Sequence, residues 1–252
     1  MAGARTGRFF RMTNALAYLG FGADGWAPAL LLAALLTLAV TLAALLVGAV
    51  LGAAVAAAKL SPRLPLRIIG DAYTTVFRGV PELLVIYLVY FGGSSAVTVI
   101  GHLLGGQGFL AMPAFAAGAL AVGAISGSYQ AEVYRGAYLA VSHGEIEAAR
   151  SIGMGPALRF RRIIMPQVMR FALPGLGNVW QLSLKDSALI SVTGLAELMR
   201  TAQVGAGSTR QYFLFYLAGG VLYLVLTGFS NQVFDAGERR VNRSFRGALG
   251  RK

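Results

Sequence analysis

The chain has 252 residues, of which 56% are hydrophobic and 13% charged, with a mean hydropathy of +0.65; soluble domains carry roughly 25% charged residues, so the composition excludes a water-soluble fold and defines an integral membrane protein. Cysteine is absent and only His102 and His143 are histidines, which excludes disulfides, thiolate sites and a histidine-rich metal centre. The excess of 22 Lys and Arg over 10 Asp and Glu is read as membrane orientation and not as nucleic-acid binding, because the charges fall between apolar runs.

Residues 1–25, with Arg5, Arg8 and Arg11, read as an external amphipathic segment, in which a short helix over 8–19 rests its charges on lipid headgroups. The apolar run that follows, 26–58, exceeds the roughly 20 residues that cross a bilayer. It is also far longer than the apolar core of a cleaved signal peptide. Further runs lie at 83–100, 109–129, 171–195 and 212–234. The fourth of the five is the weakest, because it contains Pro174, Lys185 and Asp186. The expected fold is therefore all-α with about five transmembrane helices. No repeat or linker divides 1–252, so a single membrane domain is expected. The uncharged, glycine-rich stretch 92–108 reads as a short external hairpin, and 236–252 as a basic cytoplasmic tail. Gly48 with Gly52, and Gly123 with Gly127, lie four apart within spans and permit close helix approach.

Five spans place the termini on opposite sides. One set of intervening segments holds sixteen Lys and Arg residues, among them Lys59, Arg78, Arg135 and Arg240, and the opposite set holds five. The positive-inside rule then puts the C-terminus in the cytoplasm and the N-terminus outside, with Arg5, Arg8 and Arg11 as exceptions.

The loop over 142–155 carries more structure than a simple connection. Ser142 and Glu145 match a capping box at the start of a helix, with Glu145 and Glu147 suiting the positive end of its dipole. Gly153 is placed to end that helix and Pro156 to begin the next. Ile146, Ala149 and Ile152 form one small apolar face. Both a helix lying on headgroups and a knob for a partner's groove fit this pattern.

An ionisable group inside a span costs at least about 2.5 kcal/mol on insertion scales, so it requires a partner, a wet cavity or a task. Glu132, Lys185 and Asp186 are the clearest cases, with Asp71 and Glu82 near the start of the second span. Pairing Glu132 with Arg135, or Lys185 with a carboxylate, would satisfy them structurally. The chain has no phosphate-binding glycine loop, no carboxylate cluster for magnesium and no H-E-x-x-H or serine–histidine constellation. It is expected to bind no cofactor and catalyse no reaction.

Glu147, Ala148, Ala149, Gly153, Ile163 and Pro166 reproduce E-A-A, three residues, G, nine residues, I-x-x-P. This pattern resembles the signature loop of ATP-binding-cassette importer permeases. The segments YTTVFRGVPELL from Tyr73, YQAEVYRGAY from Tyr129, GEIEAARSIG from Gly144 and RFALPGLGNVWQLSLKDSALIS from Arg170 are similar to polar amino acid permeases. Among these they most resemble the Q-type subunits of the histidine, lysine, arginine and ornithine importer and of the octopine and nopaline importers.

The resemblance implies a type I importer permease fold whose signature loop is a coupling helix seated in a groove of a separate ATPase. Glu145, Glu147, Ala148, Ala149, Gly153 and Pro166 are then the coupling residues, and Pro166 and Pro174 offer places where the following helix can interrupt or bend. The implied partners are a second, related M-type permease chain, an ATPase dimer carrying ATP and magnesium, an extracytoplasmic solute-binding protein and membrane lipid. The implied substrate is a polar, in particular basic, amino acid or an opine. A neutral or acidic polar amino acid such as glutamine is the alternative, and a self-sufficient secondary transporter or channel a more distant one. Asp186 or Glu132 would attract a cationic side chain, Tyr129 and Gln130 would hydrogen-bond, and Ser187 or Ser191 would meet backbone groups. Lys185 and Arg78 are candidates for the substrate carboxylate, although Arg78 reads first as a charge at the membrane interface.

Overall fold

The computed structural model describes residues 17–249, with side chains to 241. That range is helical throughout its ordered elements and contains no strand. The helices are α1 (Ala27–Lys59), α2 (Leu64–Gly79), α3 (Glu82–Leu103), α4 (Ala114–Leu139), α5 (His143–Ser151), α6 (Pro156–Arg159), α7 (Met165–Asp186), α8 (Leu198–Thr209) and α9 (Tyr212–Leu249). A π-helical turn, Phe160–Ile164, joins α6 to α7, and a 3-10 turn, Ser187–Thr193, follows α7.

Among the described residues three helices are long and apolar enough to cross a membrane: α1, α3 and α9 as far as Val241. The long helices α4 and α7 are less apolar because protein, not lipid, surrounds much of their surface. α4 is the centre of the bundle and packs against α1, α2, α3 and α7. It can therefore carry Ser126, Ser128 and Gln130 on buried faces, provided that each finds a hydrogen-bond partner.

The α1–α4 contact is built from small residues. α1 buries Ala33, Thr37, Val40, Ala44, Gly48, Gly52 and Ala56 along one stripe, at spacings of three or four, which is the helical repeat. Gly48 and Gly52 face Gly123 and Gly127. A Cβ added at Gly52 would lie 3.0 Å from the Gly127 carbonyl oxygen and 2.8 Å from Gln130 Cβ, and one at Gly123 would lie 3.0 Å from the Ala44 carbonyl. The four glycines therefore form one seam in which backbone meets backbone, as their spacing permits. A hydrophobic cluster of Val40, Ala44, Ile86, Ala121, Val122 and Ile190 extends the seam toward α3 and the 3-10 turn.

Several sequence expectations are corrected. The hairpin over 92–108 is narrower, because α3 continues to Leu103 and only the following residues turn, with Gly105 and Gly108 at positive φ. Residues before α4 lie along α3 instead of spanning: the Leu110 amide donates to Thr98 Oγ1 (2.9 Å) and the Met112 amide to Ser94 Oγ (3.0 Å). The third span thus begins after Pro113 and not at Phe109, and it runs ten residues beyond Tyr129. The fourth run ends as a helix at Asp186. Helix α8, which lies in a stretch read as external loop, docks Leu198 and Ala202 against Leu30 and Ala34 of α1. Helix α9 continues beyond the fifth run, through its basic residues, to Leu249. Residues 1–16, which include most of the expected amphipathic segment, lie outside the described residues.

Candidate functional site

At the Lys59 end of α1 four charges are tied together. Lys59 Nζ bonds Asp71 Oδ1 at 3.0 Å, Thr74 Oγ1 at 2.9 Å and Glu132 Oε1. The other oxygen of Glu132 receives Arg135 Nη2 at 2.9 Å and Nε at 3.0 Å. The Lys59 side chain is only 10% exposed, so its charge is compensated by two carboxylates where water is scarce. Glu132 is therefore paired with Arg135, as the structural reading of the sequence anticipates, and with Lys59, which that reading did not anticipate. Together these groups join α1, α2 and α4.

Beside this network opens a polar cleft of about 620 Å³, lined by Lys59, Asp71, Thr74, Thr75, Arg78, Gly79, Tyr129 and Glu132. The Arg78 guanidinium lies 5.3 Å from the centre of the Tyr129 ring, a cation–π contact that fixes both. Gln130, one residue further along α4, turns away from the cleft into the α1–α4 seam. Its Nε2 donates to the Leu45 carbonyl (3.3 Å) and its Oε1 accepts from the Tyr134 hydroxyl (2.9 Å).

The candidates on α7 and the 3-10 turn occupy other places. Asp186 is half-buried at the end of α7, within Coulombic reach of Glu82 at the start of α3 and of Lys185. Lys185 is exposed and lines a largely apolar groove with Tyr216 and Tyr223. Ser187 is fully buried and donates to the Leu184 carbonyl (2.7 Å). Ser191 lies in a smaller cleft with Arg200 and Gln203. The substrate candidates are thus divided among the Arg78 cleft, the α1–α4 seam, the end of α7 at Asp186, the apolar groove at Lys185 and the small cleft at Ser191.

Sequence reasoning missed Glu197. It is fully buried and caps α8, accepting from the amides of Met199 (2.9 Å) and Arg200 (2.7 Å) and from the Tyr223 hydroxyl (3.1 Å). An N-terminal carboxylate satisfies free helix amides and suits the dipole. The adjacent Leu198 amide donates to Thr37 Oγ1 of α1 (3.1 Å). The available signal was an acidic residue ahead of Leu198, Ala202 and Ala206 at helical spacing.

The loop after α4 is a short helix with one buried residue. Ala149 is buried, Ile146 is partly covered, and Glu145, Glu147 and Ala148 are exposed. Ile152 is 75% exposed, so the expected apolar face divides between the protein's own surface and the outside. Gly153 ends the helix at φ +79°, with its amide bonded to the Arg150 carbonyl and that of Met154 to the Ala149 carbonyl. Pro156 opens α6. The expected capping box is not formed: Ser142 stands at the N-cap without a side-chain bond, and Glu145 is taken instead by Gln167 Nε2. Pro166 is exposed in the first turn of α7. Having no N–H, it leaves the Arg162 carbonyl without its helical donor, and the preceding turn is wide, with the Met165 amide bonded to the Phe160 carbonyl five residues back. Pro174, by contrast, lies inside a continuous α7, so the expected interruption falls at the first proline and not at the second.

Residues 48–243 match the model of the family described as binding-protein-dependent transport system inner membrane component, and the chain belongs to that family. Across 92% of its length it is 54% identical to the octopine transport system permease protein OccQ of Rhizobium meliloti, covering 98% of that protein. Over 69% of its length it is 41% identical to the histidine/lysine/arginine/ornithine transport system permease protein HisQ of Escherichia coli strain K12, covering 75% of that protein. Among solved structures it is similar to a crystal structure of an amino acid ABC transporter with histidines, with TM-score 0.72, 34% identity, and coverage of 85% of this chain and 95% of that one.

Proposed function

We propose that this chain is one permease subunit of an ATP-driven importer for basic amino acids or opines. The observation that carries the reading is α5. A nine-residue helix anchored through Ala149, with Glu147, Ala148 and Ile152 outward and a left-handed glycine at its end, presents a surface left open by the described residues. A groove on an ATPase subunit is the proposed receiver, as in helix-in-groove recognition. Closure of that ATPase would push α5, and the wide turn before α7 would absorb part of the movement.

The proposed orientation follows the charge bias, with α5 and the Lys59 network at the cytoplasmic side and the segment before α1 outside. Nucleotide and magnesium belong to the ATPase dimer, and this chain takes no cofactor. A related second permease chain would complete the path, and an extracytoplasmic binding protein would deliver the substrate. The substrate class is supported by the octopine and basic amino acid relatives and by Asp186. Its carboxylate, within Coulombic reach of Glu82, would attract a guanidinium or ammonium.

The test is reconstitution of the chain with its neighbouring permease, ATPase and binding protein in liposomes. ATP-dependent uptake of octopine or arginine, lost on omission of the ATPase, is the expected result. Uptake that persists without the ATPase would replace the reading with a self-sufficient transporter. Asp186→Asn is expected to reduce arginine uptake more than glutamine uptake, and an equal loss of both would assign Asp186 a structural role.

A further inference from the structure

The Arg78 cleft contains two acids, yet its charges are unequally satisfied. Asp71 and Glu132 are both neutralised by Lys59, and Glu132 also by Arg135. Arg78 has no carboxylate partner among the described residues; its contact there is the face of Tyr129. The hydroxyls of Thr75 and Tyr129 likewise have no hydrogen-bond partner there, and both residues line the same cleft. Three donors, one of them a guanidinium held on a ring face, therefore line one open polar space. A guanidinium presents parallel N–H groups that match the two oxygens of a carboxylate or phosphate, and a ring beneath it holds the fork in place.

The location narrows the choice of anion. Arg78 lies in the last turn of α2, and Glu82, the acid near Asp186, lies in the first turn of α3 across the Val80–Pro81 joint. Four residues of chain reach at most about 14 Å. Arg78 and Glu82 thus flank one joint as opposite charges, matching the opposite charges at the two ends of a basic amino acid.

We infer that Arg78, with the Tyr129 and Thr75 hydroxyls, forms an oxyanion subsite that takes the carboxylate of the transported amino acid. The inference rests on the import reading above and deepens it. Lys185, the other candidate for the carboxylate, lines a largely apolar groove, whereas Arg78 lines a polar cleft. Lys59 is already saturated by two acids and a threonine. The subsite explains how a path built around acids accepts a zwitterion: each end of the substrate meets its own counter-charge, so neither is desolvated alone.

The experiment uses the purified full transporter without its binding protein, and measures binding of L-arginine, of octopine and of agmatine, which keeps the guanidinium but lacks the carboxylate. Wild type is expected to bind arginine or octopine at least about tenfold more tightly than agmatine, the scale of one lost charge-assisted contact. Arg78→Gln should abolish that preference by weakening the carboxylate ligands to the level of agmatine while leaving agmatine unchanged. Arg78→Lys should restore part of it, and Tyr129→Phe should cost less than Arg78→Gln. An equal fall for agmatine and arginine in Arg78→Gln would make Arg78 a structural residue and overturn the subsite. So would an intact preference accompanied by loss of co-purified anionic phospholipid, which would assign the guanidinium to a headgroup phosphate. If Asp186→Asn weakens every ligand while Arg78→Gln leaves the preference intact, the import reading stands and the subsite alone fails. A wild-type complex that binds neither arginine nor octopine overturns the import reading, and the subsite with it.

Discussion

The α1–α4 seam and the α5 loop both depend on glycine, for opposite physical reasons. In the seam Gly52 is α-helical, and what matters is the missing Cβ, because the Gly127 carbonyl and the Ala131 amide would lie 3.0 and 3.1 Å from it. At the loop Gly153 has nothing within 4 Å of an added Cβ; what matters there is φ +79°. One glycine is required by a neighbour and the other by its own backbone. Long-range packing therefore makes the seam a rigid body, whereas local backbone chemistry shapes the loop and leaves its outer surface free. A transporter that passes force from a loop to a membrane path needs both: a part that keeps its shape and a part that can be gripped.

The sharpest way to break the comparison is to overfill the seam. In Gly52→Val the added atoms meet backbone that cannot rotate away, so the helices must separate along their length. Overpacking costs about 1–3 kcal/mol even where side chains can adjust, and here they cannot. The expected outcome is near-complete loss of assembled complex, measured as the monodisperse peak after detergent extraction. Gly52→Ala should lose less. A normal yield for Gly52→Val would show that the seam is not rigid.

Gly153→Val tests the other half. A β-branched residue at positive φ is strained by about 1–2 kcal/mol, while the space around it is open. Complex yield of the permease chains should remain near wild type, but ATPase retention and uptake should fall about tenfold, the factor that 1.4 kcal/mol represents. Gly153→Asn, which tolerates the left-handed region, should retain most activity. If Val and Asn behave alike, the left-handed turn is not what presents α5.

Glu197 sharpens the contrast by offering rigidity of a third kind, through polar satisfaction. Glu197→Ala leaves two helix amides and the Tyr223 hydroxyl without their acceptor, each unsatisfied group costing about 1–3 kcal/mol. Glu197→Gln keeps one carbonyl acceptor and should cost less, and Tyr223→Phe, which removes a single bond, least of the three. Thermal melting of the purified complex should rank the variants in that order. An inverted ranking would mean that the buried charge itself is the liability.

What the sequence made legible follows the same division. Gly153 and Pro156 were readable because a helix stop and start are decided within a few residues. The glycine pairs were readable as permission for close approach, but their spacing alone did not say that Gly48 and Gly52 would meet Gly123 and Gly127. The capping box failed because Glu145 has a competing partner, Gln167, 22 residues away. The Lys59–Glu132 pair joins residues 73 apart, and no local pattern announces it. α8 was missed because its stretch falls between the fourth and fifth apolar runs, although Glu197 and the small residues after it are helical in their spacing. The span boundaries of α4 were misjudged because a buried helix is excused from continuous apolarity.

The smallest expected effect tests whether the wide turn before α7 is imposed by Pro166 or by the need to move. Alanine at 166 restores an amide that can bond the Arg162 carbonyl, and alanine is the best helix former. If proline alone widens the turn, Pro166→Ala should tighten it to ordinary α geometry, and amide exchange over 160–166 should slow. Because α5 and its outer surface are untouched, ATPase retention should stay unchanged and uptake should fall only about two- to threefold, within the range of coupling changes below 1 kcal/mol. Exchange that slows without any change in uptake would make the wide turn a by-product of proline chemistry. Exchange that stays fast in the variant would mean that packing of Ile164, which is buried, holds the turn open, placing the joint with the rigid seam and not with the loop.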